Sequence, residues 1–171
     1  MSEKVRKASA LAAAVIFVFV DQITKGFAVG SLKETGKMTM TVIPGLLEFS
    51  YLENPAAALG LFGNVIWLVI ALAALVAVGI VAALFIYKEH SFFSYAASTL
   101  LLAGGVGNLI DRIAMDGKVV DFIHVLFFPY VFNVADCCVT VGAVCLLLHY
   151  FLRVRKEKQR DAGAENAKQE Q

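Results

Sequence analysis

Four apolar runs, each long enough to cross a bilayer, alternate with polar breaks along this chain. The first covers about residues 8–29 and is interrupted late by Asp21, Gln22 and Lys25. The second, about 65–87, is uninterrupted and closes on Lys88-Glu89-His90. The third, about 92–110, is loosened by Gly104, Gly105 and Gly107 and ends in Asp111-Arg112; the fourth covers about 131–152. About 20 apolar residues span the ~30 Å of hydrocarbon, so each run predicts a transmembrane helix. The longest connection, 30–64, changes period: Leu47, Phe49 and Tyr51 alternate with Glu48 and Ser50 behind the turn signal Pro44-Gly45. Alternation of this kind reads as a hairpin or small sheet on the membrane surface. Asn54 to Gly60 follows, with a polar head and small residues suited to close backbone packing. Residues 113–130 form a second connection. The predicted fold is an all-α integral membrane protein, one four-span domain over 1–152 with a small extracytoplasmic β-rich segment. The charged remainder, 153–171, is expected to be disordered.

Composition agrees. Hydrophobic residues make up 59% of the 171 and charged ones 17%, with mean hydropathy +0.73. Soluble domains average about 45–50% and about 25%. A net charge of +1 says nothing about nucleic acid, but no basic patch with interleaved aromatics lies outside the termini, and no nucleic-acid partner is expected. Cys137, Cys138 and Cys145 lie inside an apolar run and make no disulfide framework. The basic start MSEKVRK followed by an apolar run resembles a signal peptide, but the run is too long and lacks a small-x-small cleavage site. It is kept as the first span. With four spans, ten of the fifteen Lys and Arg fall on the side of the two termini, which predicts both termini cytoplasmic.

That topology gathers the polar residues. Asp21 and Lys25 end the first span; Asn54 and Asn64 precede the second; Asn108, Asp111 and Arg112 end the third; Asn133 and Asp136 open the fourth, with Asp121 just ahead. All fall toward the outer face. An ionised carboxylate in apolar surroundings is costly and usually marks function. Two brought together tend to share a proton and act as acid and base, so Asp121 and Asp136 are the candidate hydrolytic dyad. If helical, Asp121 shares a face with His124 and Asp136 with Asn133. The plainer readings are an N-cap for Asp136, an ordinary loop residue for Asp121, mutual neutralisation of Asp21 and Lys25, and a structural ion pair or cap for Asp111 and Arg112. His124 and His149 lie at opposite ends and the chain has no Cys/His spacing or HExxH, so no metal is expected. It has no GxSxG either, and the glycines before Asn108 follow no strand and sit inside a span, which suits helix packing and not nucleotide binding.

Five motifs carry a resemblance: Asp21-x-x-Thr24-Lys25, Asn54-Pro55-Ala56-Ala57-Ala58-Leu59-Gly60, Asn108-x-x-Asp111-Arg112, Val119-Val120-Asp121-Phe122 and Phe132-Asn133-x-Ala135-Asp136. In this order the chain resembles the bacterial lipoprotein signal peptidases, signal peptidase II; Ala56 and Leu59 stand where that family usually has Gly and Phe. The resemblance implies an aspartyl endopeptidase that removes the signal peptide of diacylglyceryl-modified prolipoproteins, cutting just before the lipidated cysteine. It puts the catalytic pair on Asp121 and Asp136, and substrate-binding or supporting roles on Asp21, Asn54, Asn108, Asp111, Arg112 and Asn133. No cofactor is expected. The expected partners are lipidated prolipoproteins and membrane lipid, and the expected setting is a monomer in the bacterial plasma membrane with its site near the outer face. The alternative from the residues alone is a small proton-coupled transporter, which also keeps carboxylates in its spans. Such sites usually lie at mid-membrane between internal repeats, and this chain has no repeat. A purely structural subunit would leave the carboxylates unexplained.

Overall fold

A computed structural model describes residues 2–55 and 66–169, with side chains to 162. Among the described residues, four helices are long and apolar enough to cross a membrane. They are α1 (Glu3–Ala28), α2 (Ile66–Ile86), α3 (Phe92–Ala114) and α4 (Val134–Gln169). α1 runs on through a π-helical turn, Val29–Lys33. The start of α3 is set by a capping box, in which Ser91 Oγ accepts from the Ser94 N–H and Ser94 Oγ from the Ser91 N–H. Beyond its end the chain turns through Asp116 (φ 54°) and Gly117 (φ 91°). The outward faces of the helices carry Phe19, Trp67, Leu75 and Phe151, all largely exposed, which suits contact with lipid.

α3 and α4 pack most closely where glycine removes the side chain. A Cβ on Gly104 would stand 2.3 Å from the Ala135 carbonyl oxygen and 2.6 Å from Val139 Cγ2; one on Gly105 would meet nothing within 4 Å. Gly104→Ala should therefore push α4 off α3 and cost about 1–3 kcal/mol. Gly105→Ala should stabilise by about 0.5–1 kcal/mol through helix propensity, absent a local clash. Thermal denaturation of the two variants checks this; equal behaviour would mean the close approach does not constrain the helices.

Both polar connections form one antiparallel sheet of order β1-β2-β3-β4: Thr39–Ile43, Leu47–Asn54, Val119–Val125 and Val131–Phe132. The β-rich segment thus exceeds the 30–64 stretch, because β3 and β4 come from the connection before α4. Phe49 and Phe122 meet edge to face at 5.7 Å, and Tyr51, Val120 and Phe122 pack on Ala28 and Leu32 at the end of α1. The opposite sides of β2 and β3 carry Leu52 beside Asp121, paired across the strands. Alternation therefore turns Asp121 away from that apolar cluster.

Two expectations are corrected. The tail does not lose structure at 153; α4 continues to Gln169. Lys, Arg, Glu, Gln and Ala extend an existing helix readily, and Arg153 bonds Glu157 one turn on at 3.0 Å. Asp121 and His124 do not share a face, because they lie on a strand, where residues three apart point to opposite sides. His124 instead pairs with Glu48 across β2 and β3 at 2.9 Å. Of the stretch Asn54 to Gly60, residues 56–60 lie outside the described residues, as does Asn64.

Candidate active site

Asn133 is fully buried and holds both carboxylates of the candidate dyad. Its side-chain Nδ2 donates to Asp121 Oδ1 at 2.7 Å, while its backbone N–H donates to Asp136 Oδ2 at 3.2 Å. In return the Asp136 N–H donates to Asn133 Oδ1 at 2.9 Å. This reciprocal pair is a capping box in which Asn133 is the N-cap of α4 and Asp136 the third helical residue. The cap role considered for Asp136 therefore falls on Asn133, and the same turn that starts the helix aims the Asp136 carboxylate back toward β3.

Each carboxylate has a second amide partner. Asn54, at the end of β2, donates to Asp121 Oδ2 at 2.8 Å; Asn108, on α3, donates to Asp136 Oδ1 at 2.8 Å. Asp121 is 2% exposed, whereas Asp136 is only partly buried. Burial pushes the Asp121 carboxyl up to about 6; the amide of Asn54 opposes the rise, and the nearby charge of Asp136 adds to it. At pH near 6 Asp121 is thus poised between acid and base.

Behind the pair lies a buried ionic knot. Lys25 Nζ contacts Asp21 Oδ2 at 2.9 Å and Asp111 Oδ2 at 3.0 Å, and donates to Asn108 Oδ1 at 3.0 Å. Lys25 therefore does more than neutralise its helix neighbour: it fixes the Asn108 amide so that the NH2 faces Asp136. Asp21 Oδ1 accepts from the Ala135 N–H at 2.8 Å, tying α1 to the start of α4. Asp111 Oδ2 accepts from the Val120 N–H at 3.0 Å, tying α3 to β3. A Cβ on Gly107 would stand 2.6 Å from Asp21 Oδ2, so only glycine lets that carboxylate in. Asp111 does stand in a structural ion pair, but with Lys25 and not with Arg112, since neighbours on a helix point apart. Arg112 Nη1 donates to the Asn108 carbonyl at 3.2 Å, and its buried Nε has no hydrogen-bond partner among the described residues.

Sequence reasoning passed over Gln22. Its Nε2 reaches Asp111 Oδ1 at 2.9 Å, the Gly107 carbonyl at 3.1 Å and Asp21 Oδ2 at 3.2 Å. The available signal was its position between Asp21 and Lys25 in an apolar run, the same signal that marked those two. Among the described residues no three His, Cys, Asp or Glu side chains converge as metal ligands. Beside Arg112 an apolar groove of about 400 Å³ opens between α2 and α3, lined by Leu68, Leu72, Val76, Leu101 and Gly105.

A sequence profile described as Signal peptidase (SPase) II matches residues 13–152. This chain belongs to the signal peptidase II family. It is 39% identical to the lipoprotein signal peptidase of Symbiobacterium thermophilum over 146 residues, covering 84% of this chain and 94% of that one. With the lipoprotein signal peptidase of Brevibacillus brevis the identity is 38% over 147 residues, covering 85% and 96%. A solved bacterial membrane enzyme, determined in meso at 2.3 Å, superposes with a TM-score of 0.74 at 28% identity, covering 86% of this chain and 90% of its own. The chain is accordingly a multi-pass membrane protease of the class that removes signal peptides from prolipoproteins. All five signature motifs lie within the matched stretch, and those among the described residues meet around Asn133 and Lys25.

Proposed function

We propose that this signal peptidase II is an aspartyl endopeptidase that cuts a diacylglyceryl-modified prolipoprotein just before its lipidated cysteine, using Asp121 and Asp136. The observation that carries the reading is Asn133, one residue bonded to both carboxylates. Asp121, whose burial favours the neutral form up to about pH 6, holds the proton and polarises the scissile carbonyl. Asp136, the less buried of the two, takes a proton from the attacking water. Asn54 and Asn108 hold the outer oxygens of the pair. The apolar groove beside Arg112, between α2 and α3, suits an acyl chain of the substrate. The enzyme works as a monomer without a cofactor, its partners being the lipidated precursor and the surrounding lipid.

The test is cleavage of a lipidated precursor peptide by the purified enzyme in lipid, followed against pH. The competent state holds one proton between two carboxylates, which makes the profile bell-shaped. The rate should fall as pH rises through about 6, where Asp121 loses its proton, and fall again in acid once the pair holds two protons. A rate that keeps climbing well into alkaline pH would remove Asp121 from the acid role, and an uncut precursor would remove the substrate.

Both termini are cytoplasmic in this reading and the site lies at the outer face, on the distribution of Lys and Arg. In a background without the three native cysteines, cysteines at Lys37 and Lys118 should react with an impermeant reagent outside intact cells. One at Lys88 should stay unlabelled, and its labelling would reverse the orientation.

A further inference from the structure

The sheet ends in two turns that lie side by side. The β1–β2 turn and the β3–β4 turn are joined by the Leu126 N–H, which donates to the Leu46 carbonyl at 3.0 Å. Their side chains are apolar and face outward: Ile43, Leu46, Leu126 and Phe128 are exposed, Tyr130 is 63% exposed and Phe127 81%. The rings stiffen one another, with Phe128 edge-on to Tyr130 at 5.4 Å and to Phe132 at 6.4 Å.

The other end of the same sheet is charged. There Glu53 bridges Lys33 at 2.6 Å and Lys118 at 3.0 Å, and Lys37 stands exposed at the start of β1. Between the two ends lies the Glu48–His124 pair, closed on itself at 2.9 Å. The sheet is thus amphipathic along its length, and not only from face to face. The chain itself keeps the apolar end close to a span. Span α4 begins at Val134, four residues after Tyr130. At about 3.3 Å per strand residue the tip reaches about 10–13 Å past Asn133. A rim of aliphatic and aromatic side chains beside the point where a helix enters the bilayer matches the interfacial position that aromatic residues favour. In water the same rim would be a contiguous exposed apolar patch.

We propose that the paired turns form a membrane anchor: Ile43, Leu46, Leu126, Phe127, Phe128 and Tyr130 insert into the leaflet beside α4 and hold the sheet, with Asp121 on it, at a set depth. The occupant of this surface is lipid, contacted outside the four spans. The anchor stands whatever bond the site cleaves, because its geometry uses no catalytic group.

Depth-dependent fluorescence tests it. Trp67→Phe removes the chain's one tryptophan, which lies on an exposed helix face. Phe127→Trp, Leu46→Trp and Lys37→Trp are then each made in that background and reconstituted in phosphatidylcholine vesicles with brominated acyl chains. Tryptophan at 127 and at 46 should lose most of its emission to the brominated lipid and be shielded from aqueous iodide. Tryptophan at 37 should show the reverse. Addition of a lipidated precursor peptide should leave the quenching at 127 and 46 unchanged. Three results would overturn the anchor. Iodide quenching at 127 and 46 without lipid quenching would put the turns in water. Lipid quenching that disappears with the precursor would make the surface a substrate site. Shielding that depends on the protein-to-lipid ratio would make it a contact between copies.

Discussion

Asp121→Asn and Asp136→Asn should each lower turnover of a lipidated precursor by about 10³-fold or more, and the double variant should lose little beyond that. Groups that act as one unit are strongly non-additive on removal, because losing either already removes the joint step. Here the unit has a structural basis: Asn133 bonds Asp121 at 2.7 Å and Asp136 at 3.2 Å, so neither carboxylate can be positioned without the other's partner. Asparagine keeps the shape of each side chain and leaves it permanently neutral, so Asp121→Asn cannot surrender a proton and Asp136→Asn cannot accept one. Each change turns one carboxylate oxygen into a donor facing another donor, at a cost of about 1–3 kcal/mol. Both variants should still fold in the membrane, with melting temperatures lowered by only several degrees. Single-turnover rates of the two singles and the double measure the coupling. Losses that multiply would mean that the carboxylates act separately, and the dyad assignment would fail.

Lys25→Met should destabilise the enzyme more than any other single polar substitution around the site. The Lys25 ammonium is nearly fully buried and contacts two carboxylates that are themselves buried, Asp21 and Asp111. Removing it leaves two like charges without a counter-ion, and breaking such a pair costs about 3–5 kcal/mol. For a chain of this size that corresponds to a fall in melting temperature on the order of 10 °C. Cleavage should fall as well, because Lys25 fixes the amide of Asn108 that faces Asp136. Adding Asp21→Asn to Lys25→Met should recover much of the stability. The Asn oxygen still accepts from the Ala135 N–H, while one of the two stranded charges is gone. A melting temperature unmoved by Lys25→Met would show that the knot does not tie α1 to α3 and α4.

The bilayer explains what could be read in one dimension. Hydrocarbon offers no hydrogen bonds, so an apolar run of sufficient length has one stable outcome, and the four helices were legible from hydropathy alone. For the same reason each polar residue inside a run stands out, and the positions of Asp21, Asn108, Asp111, Asn133 and Asp136 along their spans announced that they meet at one end. The β1–β2 hairpin was legible from its two-residue period and the Pro44-Gly45 turn. β3 was not. Val119 to Val125 has no clean alternation, since the strand is buried on both faces at its start and carries Asp121 for reasons of chemistry.

What the sequence by itself determined is the membrane architecture, the family and the roster of polar residues, because burial cost is a property of each residue type and its neighbours in the chain. Which residue bonds which was decided only in three dimensions. Asp111 pairs with Lys25 and not with Arg112, Asn133 joins the two carboxylates, and Gln22 enters the knot, because helix phase and strand alternation set the direction of each side chain. The joining of the 30–64 and 113–130 connections into one sheet was likewise tertiary. Strand pairing depends on edges meeting across more than sixty residues of intervening chain, as Asn54 meets Val119, and no local pattern records that.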